Sequence, residues 1–397
     1  MTNKPQKPIG FIDLKAQREF LGRKIDDAVM KVVNSCAFVM GPQVQEFEKQ
    51  LAGFGQAKLA LSCANGTDAI ALPLMAWDVG PGDAVFCPSF TFAATAEIVP
   101  WVGATGVFVD VLPDTYNMDP DSLEAAIQMV LAQGELKPKV AIAVDLFGQL
   151  ADYPAIAAIC KKYGLKLISD SAQGFGATLD GKHPMHWADC QTTSFFPAKP
   201  LGCYGDGGAV LTNSETDWQI MDSLRVHGKA VKADLEGKNF DHDPKYLNMR
   251  IGMNSRLDTI QAAVLIEKLA IFQDEIAKRN KIAKRYNDEL AQICTVPSVI
   301  DDGISIWAQY TIEVRNRDGL SAFLRSKDIP SASYYPIPMH RQGPYQDFLI
   351  APNGLPVTER LADVVISLPM HPYMDEETQS YIIANVKEFC ESQQTAH

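Results

Sequence analysis

The sequence predicts an α/β protein: a mostly parallel sheet covered by helices on both faces, with a smaller α+β unit behind it. Three observations carry that expectation. Short apolar runs alternate with amphipathic helical patterns between residues 58 and 211, which is how a sheet buried on both faces reads. The chain has 397 residues, more than one small core organises. Beyond residue 295 the alternation gives way to a shorter mix of strands and helices.

In chain order, residues 1–10 are polar, with Pro5 and Pro8, and read as a loose arm. Leu21, Ile25, Ala28, Val29, Val32 and Val33 recur at helical spacing and predict a helix within 11–33. A second amphipathic helix starts after Gly41–Pro42, since proline suits the first helical turn. Lys58–Ser62 is a strand, and Asn65-Gly66-Thr67-Asp68 turns the chain into a helix near Ala69–Trp77. Gly80–Asp83 is a turn. Strands follow at Ala84–Cys87, Thr105–Val109, Val140–Asp145, Leu165–Asp170, Thr192–Phe196 and Gly208–Leu211, with helices at Asp121–Leu131 and Tyr153–Tyr163. Residues 228–250, rich in Lys and Asp and without periodicity, read as a long surface loop. A helix over Ser255–Leu290 leads to the second unit. There Trp307–Val314 and Ser331–Tyr335 read as strands, and Leu320–Lys327 and Asp375–Glu391 as helices. The division implied is 1–270 for the large unit and 271–397 for the small one.

A formal net charge of −12 and the lack of any Lys/Arg-rich run argue against a nucleic-acid surface. The eight cysteines are scattered with no C-x-x-C pair, so zinc and dithiol redox motifs are not expected, whereas buried thiols in a reducing cytosol are. The first residues lack the apolar core of a secretory signal. No apolar run approaches the roughly 18 residues that span a bilayer. The expectation is a cytoplasmic protein that uses no metal and touches neither membrane nor nucleic acid.

Ligands of such sheets bind at the carboxyl ends of the strands, and three constellations fall there. The strand-to-helix junction at Gly66–Thr67 offers free N–H groups and a helix dipole to a phosphate; the same residues would also make an ordinary helix cap. Asp170 ends an apolar strand, where a buried carboxylate needs a positive partner, although capping the next segment explains it equally. Lys199 follows Ser194 and the pair Phe195–Phe196 in TSFFPAKPLGCYGDGGA (193–209), between Pro197 and Pro200 and ahead of a glycine-rich turn. A lysine stripped of solvent loses its proton more readily and becomes a nucleophile; an exposed loop lysine is the plainer reading. Two further segments could reach a ligand or simply pack: Met249–Asp258, with Arg250, Asn254 and Arg256, and Tyr334–His340, with two tyrosines and a histidine. Taken jointly, a phosphate junction, an acid and a lysine in one sheet meet the needs of pyridoxal 5′-phosphate. Phe92 is a candidate to stack on its ring.

The stretches FIDLKAQ, SCANGTDA, PSFTFAATAE, SDSAQGFGA, SFFPAKPLGCYGDGGA, RVHG, NSRLDTIQAA, YYPIPMH and SLPMHPYM resemble the sugar aminotransferases of the DegT/DnrJ/EryC1 family over nearly the whole chain. The resemblance implies the aspartate aminotransferase-like (type I) fold. It also implies ping-pong transfer of an amino group from L-glutamate, leaving 2-oxoglutarate, to a keto group of a nucleotide sugar. It is densest with the enzymes that aminate the 3-keto group of UDP-2-acetamido-2-deoxy-3-oxo-glucuronate, used in bacterial surface polysaccharides such as lipopolysaccharide O-antigen.

Carried over by position, the resemblance makes Lys199 the Schiff-base lysine and the general acid/base. It pairs Asp170 with the pyridine nitrogen, puts Gln173 near the ring hydroxyl and Phe92 on the ring, and gives the phosphate to Gly66, Thr67 and Ser194. It implies a homodimer with shared sites, Asn254 reaching the phosphate of the neighbouring subunit's cofactor. Arg256 would face the sugar nucleotide's carboxylate, as a bidentate guanidinium does, with Tyr334 and Tyr335 as further substrate contacts. Tyr334 stands where many relatives have His, and Ser171 where Ala is common. The same chemistry on a 4-keto-6-deoxy nucleotide sugar stays open here, as does a non-catalytic sugar-nucleotide-binding or regulatory protein on this fold. A dehydrating relative would carry His in place of Lys199.

Overall fold

The structure is a computed structural model and describes residues 4–236, 243 and 246–394. Positions 237–242 and 244–245 of the expected surface loop lie outside those residues. The strands are β1 (Leu59–Cys63), β2 (Asp83–Pro88), β3 (Thr105–Val109), β4 (Lys137–Val144), β5 (Lys166–Asp170), β6 (Thr178–Leu179), β7 (Cys190–Ser194), β8 (Gly208–Thr212), β9 (Gly303–Ile304), β10 (Tyr310–Glu313), β11 (Leu349–Ile350) and β12 (Val365–Leu368). The helices are α1 (Leu14–Leu21), α2 (Arg23–Ser35), α3 (Pro42–Phe54), α4 (Gly66–Ala76), α5 (Ala93–Trp101), α6 (Pro120–Gln133), α7 (Tyr153–Tyr163), α8 (Glu215–Leu224), α9 (Lys232–Leu235), α10 (Thr259–Leu290), α11 (Arg317–Ser326), α12 (Pro356–Val364) and α13 (Glu376–Gln394).

Among the described residues eight strands form one sheet, in the order β1-β8-β7-β5-β4-β2-β3-β11. Neighbours pair in parallel except β8, which runs antiparallel to both β1 and β7. The carboxyl ends of β1, β2, β5 and β7 therefore lie along one edge. Both faces are buried, which is why β3 and the second half of β4 read as apolar runs. In β4, Ala141 and Ala143 join the core under α3, α6, α7 and α10, while Val140 and Ile142 join the core under α4 and α5. A second core gathers Ile282, Tyr286 and Leu290 of α10 with β10, β12, α11 and α13. Thus α10 starts in one core and ends in the other, and the expected boundary at 270 falls inside it. From beyond that boundary, β11 supplies an edge strand to the large sheet. Among the described residues no helix is long and apolar enough to cross a membrane.

Several elements differ from expectation. The first helix breaks at Gly22, whose φ of 55° belongs to a conformation glycine adopts freely. α5 is apolar on nearly all sides and contains Pro100, so no periodic stripe marks it. α8, outside the expected set, opens at Ser214, whose hydroxyl accepts the Asp217 amide. Ser331–Tyr335, between Pro330 and Pro336, makes only an isolated bridge from Ala332 to Ser367; the partner of β10 is β12 instead. Proline has no N–H to extend a ladder.

One close approach fixes the geometry of the sheet edge. Gly208 opens β8, and a Cβ there would sit 2.2 Å from the Asn65 carbonyl oxygen. Gly208→Ala is expected to destabilise the protein by roughly 1–3 kcal/mol. The check is a lower denaturant midpoint at unchanged m-value.

Candidate active site

Asn65 leaves β1 extended and caps α4, its Oδ1 accepting the Asp68 amide at 2.8 Å. The amides of Gly66 and Thr67, one residue further in, have no intrahelical acceptor by helix geometry. Gly66 packs on the end of β7, where a Cβ would lie 2.6 Å from Ser194 Cβ. Only glycine lets the helix start this close to Ser194. Ser255 anchors a further segment here: its hydroxyl accepts the Ala64 amide at 3.1 Å and donates to Asp68 Oδ2 at 2.6 Å.

Asp170 ends β5 and is 5% exposed. Its Oδ2 accepts from the Thr95 hydroxyl at 2.8 Å and its Oδ1 from the Ala172 amide at 3.2 Å. Burial pushes the carboxyl above the ordinary range, while these two bonds and the Lys199 charge pull the other way. β7 and β8 form a hairpin whose connection, 195–207, carries Lys199. The turn is closed by Phe195 N to Gly207 O at 2.7 Å, Cys203 N to Phe195 O at 2.8 Å and Lys199 N to Phe196 O at 2.8 Å. Beneath it, buried Lys268 of α10 donates to the Gly202 carbonyl at 2.6 Å and lies 4.4 Å from the Tyr204 ring centre. Lys199 itself is half-buried; burial lowers its pKa and Asp170 opposes. Desolvation thus favours the neutral amine at Lys199 and leaves Asp170 a carboxyl that gains from a cation.

Phe92 follows β2 at the start of α5 and is 55% exposed, its ring centre 6.4 Å from that of Tyr335. Gln173 spans the site: Oε1 accepts the Phe147 amide and Nε2 donates to the Tyr335 hydroxyl, both at 2.9 Å. Tyr334 lies edge-on to Phe11. The sheet edge therefore gathers Gly66, Thr67, Phe92, Asp170, Gln173, Ser194, Lys199 and Tyr335, with Tyr334 adjoining. Asn254 and Arg256 stand apart on either side of Ser255. Asn254 is exposed and Arg256 half-buried, and among the described residues neither side chain has a hydrogen bond or ion pair. Sequence pattern does not disclose Thr95, because the helix that presents it carries no stripe; nor does it disclose Ser255, whose partners are far away in the chain.

The arrangement fits pyridoxal 5′-phosphate. Helix-terminal amides beside Ser194 suit a phosphate, the open face of Phe92 suits a ring, buried Asp170 suits a protonated pyridine nitrogen, and Lys199 suits an aldehyde. A family model described as the DegT/DnrJ/EryC1/StrS aminotransferase family matches residues 20–387. The UDP-2-acetamido-2-deoxy-3-oxo-D-glucuronate aminotransferase of Pseudomonas aeruginosa is 44% identical over 377 residues, covering 95% of this chain and 99% of that protein. Among solved structures, a DegT DnrJ EryC1 StrS aminotransferase from Brucella abortus is 49% identical with a TM-score of 0.91, over 96% of this chain and 99% of that one. The DesV protein of S. venezuelae, solved in complex with a ketimine intermediate, is 31% identical with a TM-score of 0.89, over 97% of this chain and 99% of that one. The chain belongs to the DegT/DnrJ/EryC1/StrS aminotransferase family and is a pyridoxal 5′-phosphate-dependent aminotransferase of the type I fold.

Proposed function

We propose that this chain transfers an amino group from L-glutamate to the 3-keto group of a UDP-linked 2-acetamido-2-deoxy-3-oxo-hexuronic acid. In this reading it acts in the cytoplasm, in the biosynthesis of a surface polysaccharide such as lipopolysaccharide O-antigen, as a homodimer with shared sites. The observation that carries the chemistry is Lys199, an amine of lowered pKa on a closed hairpin turn, within the field of Asp170. The 44% identity to a protein named for the 3-oxo-glucuronate substrate supports the choice of sugar.

Each residue then has a stated task. Pyridoxal 5′-phosphate, when bound, supplies the electron sink that stabilises the carbanion left at the donor Cα. Lys199 Nζ takes the Cα proton and returns it on the far side of the transferred nitrogen. Asp170 holds positive charge at the pyridine nitrogen. Gly66, Thr67 and Ser194 hold the phosphate, Phe92 covers one ring face, and Gln173 lies at the ring hydroxyl. Residues 1–270 supply these groups, and the 271–397 unit adds Tyr334 and Tyr335 on the sugar side. Asn254 serves the phosphate site of the partner subunit. Exposed apolar side chains at Phe38, Val39, Phe196, Met249 and Ile251, on segments around the lysine turn and Asn254, support a dimer face there.

Arg256, whose side chain has no hydrogen bond or ion pair among the described residues, would bind the sugar carboxylate. Arg256→Ala is expected to raise KM for the carboxylated sugar roughly 10- to 100-fold, the scale of a charge-assisted hydrogen bond. KM for an uncarboxylated keto sugar should barely move. The deciding experiment offers the holoenzyme L-glutamate with either the UDP-linked 3-keto uronic acid or a 4-keto-6-deoxy nucleotide sugar and identifies the product by mass spectrometry. Turnover of the second sugar alone would sink the substrate assignment.

A further inference from the structure

Beyond Tyr335 the chain folds back through Pro336–His340 to the carboxyl end of β2, and a run of polar contacts holds it there. Ser89, fully buried just after β2, accepts the Met339 amide on its carbonyl at 3.0 Å and the His340 amide on its hydroxyl at 3.1 Å. The same hydroxyl lies 2.7 Å from His340 Nδ1, and His340 Nε2 lies 2.7 Å from Oε1 of Glu359 on α12. Glu359 also pairs with Arg341. α12 is anchored in turn by Asp110, at the end of β3, which accepts the amides of Val357 at 2.9 Å and Thr358 at 2.8 Å. The circuit runs from β3 through α12 and His340 to β2, the strand whose extension carries Phe92.

With a neutral ring the partners leave one consistent assignment. The Glu359 carboxylate can only accept, so Nδ1 is the ring's acceptor and takes the Ser89 hydroxyl proton. Nε2 then carries the ring proton toward the Glu359 carboxylate. A neutral ring suits the setting, since burial and Arg341 lower the His340 pKa against the opposing charge of Asp110. Ser89 is fully buried, so no substrate reaches its hydroxyl and this trio is not a nucleophile and its base.

We propose that Ser89, His340 and Glu359 form a clasp that positions the Tyr334–Tyr335 segment for the keto sugar. His340 governs acceptance of the second substrate without touching it. Among the described residues no hydrogen bond links the clasp to Lys199, Asp170, Ser194 or Gly66, and its link to Gln173 passes through the Tyr335 hydroxyl, so the half-reaction with the amino donor is disturbed far less than the one with the sugar. The inference rests on the sugar aminotransferase reading above.

The test measures the two half-reactions separately on holoenzyme carrying His340→Asn, Glu359→Ala or Glu359→Gln. With L-glutamate, cofactor conversion followed by absorbance is expected to stay within about twofold of wild type. With the UDP-linked 3-keto uronic acid, KM is expected to rise roughly tenfold in His340→Asn and Glu359→Ala, the consequence of losing one or two buried hydrogen bonds. Glu359→Gln keeps an acceptor for the ring N–H and is expected to stay near wild type. Equal losses in both half-reactions, or an unmoved KM in folded His340→Asn, would overturn the clasp. Hydrogen exchange needs no sugar: the Met339 and His340 amides should exchange at least about tenfold faster in His340→Asn, and unchanged exchange also overturns it. If wild type converts glutamate but no keto sugar, the substrate reading fails and the exchange result still decides the clasp.

Discussion

Lys199→Ala is expected to abolish turnover, with kcat down by roughly 10³-fold or more. The variant loses both the amine that anchors the cofactor and the base that moves the Cα proton. Lys268, beneath the same turn, does not take over, because it is buried and its amine donates to the Gly202 carbonyl. Reduction with borohydride followed by peptide mass spectrometry reads the difference directly. Wild type should carry the reduced cofactor on the peptide containing Lys199, and the variant should carry none, although it still binds cofactor through the phosphate contacts. Because burial lowers the Lys199 pKa, a larger share of the amine is free at neutral pH than for an exposed lysine. A variant that turned over at the wild-type rate would end the assignment.

Asp170→Asn should cost about 10²- to 10³-fold in both half-reactions, the scale of removing one preorganised charge-stabilising group. An amide still accepts the Thr95 hydroxyl bond but cannot hold positive charge at the pyridine nitrogen. Stability provides a second, independent reading with a definite sign. In the protein without cofactor, the folded pKa of Asp170 is raised above its ordinary value of 3.8. Its contribution is therefore complete below that value and is lost as pH rises through the raised one. Cofactor-free wild type should lose stability to Asp170→Asn over that window, and the order should reverse once cofactor supplies the cation. Denaturation at acid and neutral pH, with and without pyridoxal 5′-phosphate, checks both halves. If loaded wild type and variant are equally stable, Asp170 does not face the ring nitrogen.

Local pattern made much of the sheet legible, for a specific reason. Residues 106–109 and 140–144 are short apolar runs, and burial on both faces leaves no polar interruption to confuse them. The same uniform apolarity hid α5, where neither face is polar enough to mark a helix. Ser331–Tyr335 has strand-like composition, but flanking prolines and a single bridge leave it irregular. At the site, Gly66–Thr67, Asp170 and Lys199 were visible as chemical types at strand ends, and their joint role came from the family resemblance. The long-range contacts were not visible at all. Asp110 caps a helix that begins at Pro356, and Ser255 bonds Asp68; no spacing rule connects such residues, because only the finished fold brings them together.

The reversed direction of β8 has an engineering consequence. Ser194 faces Gly208 and Thr193 faces Ala209 in fixed register. An extra residue between the two strands cannot be taken up by sliding the stem, since a one-residue slip would turn every side chain of a strand to the opposite face. It would have to bulge into the turn and re-aim the amine. Outer loops of this protein can be recut or lengthened, but the span from Ser194 to Gly208 has no slack: its length is itself part of the catalyst.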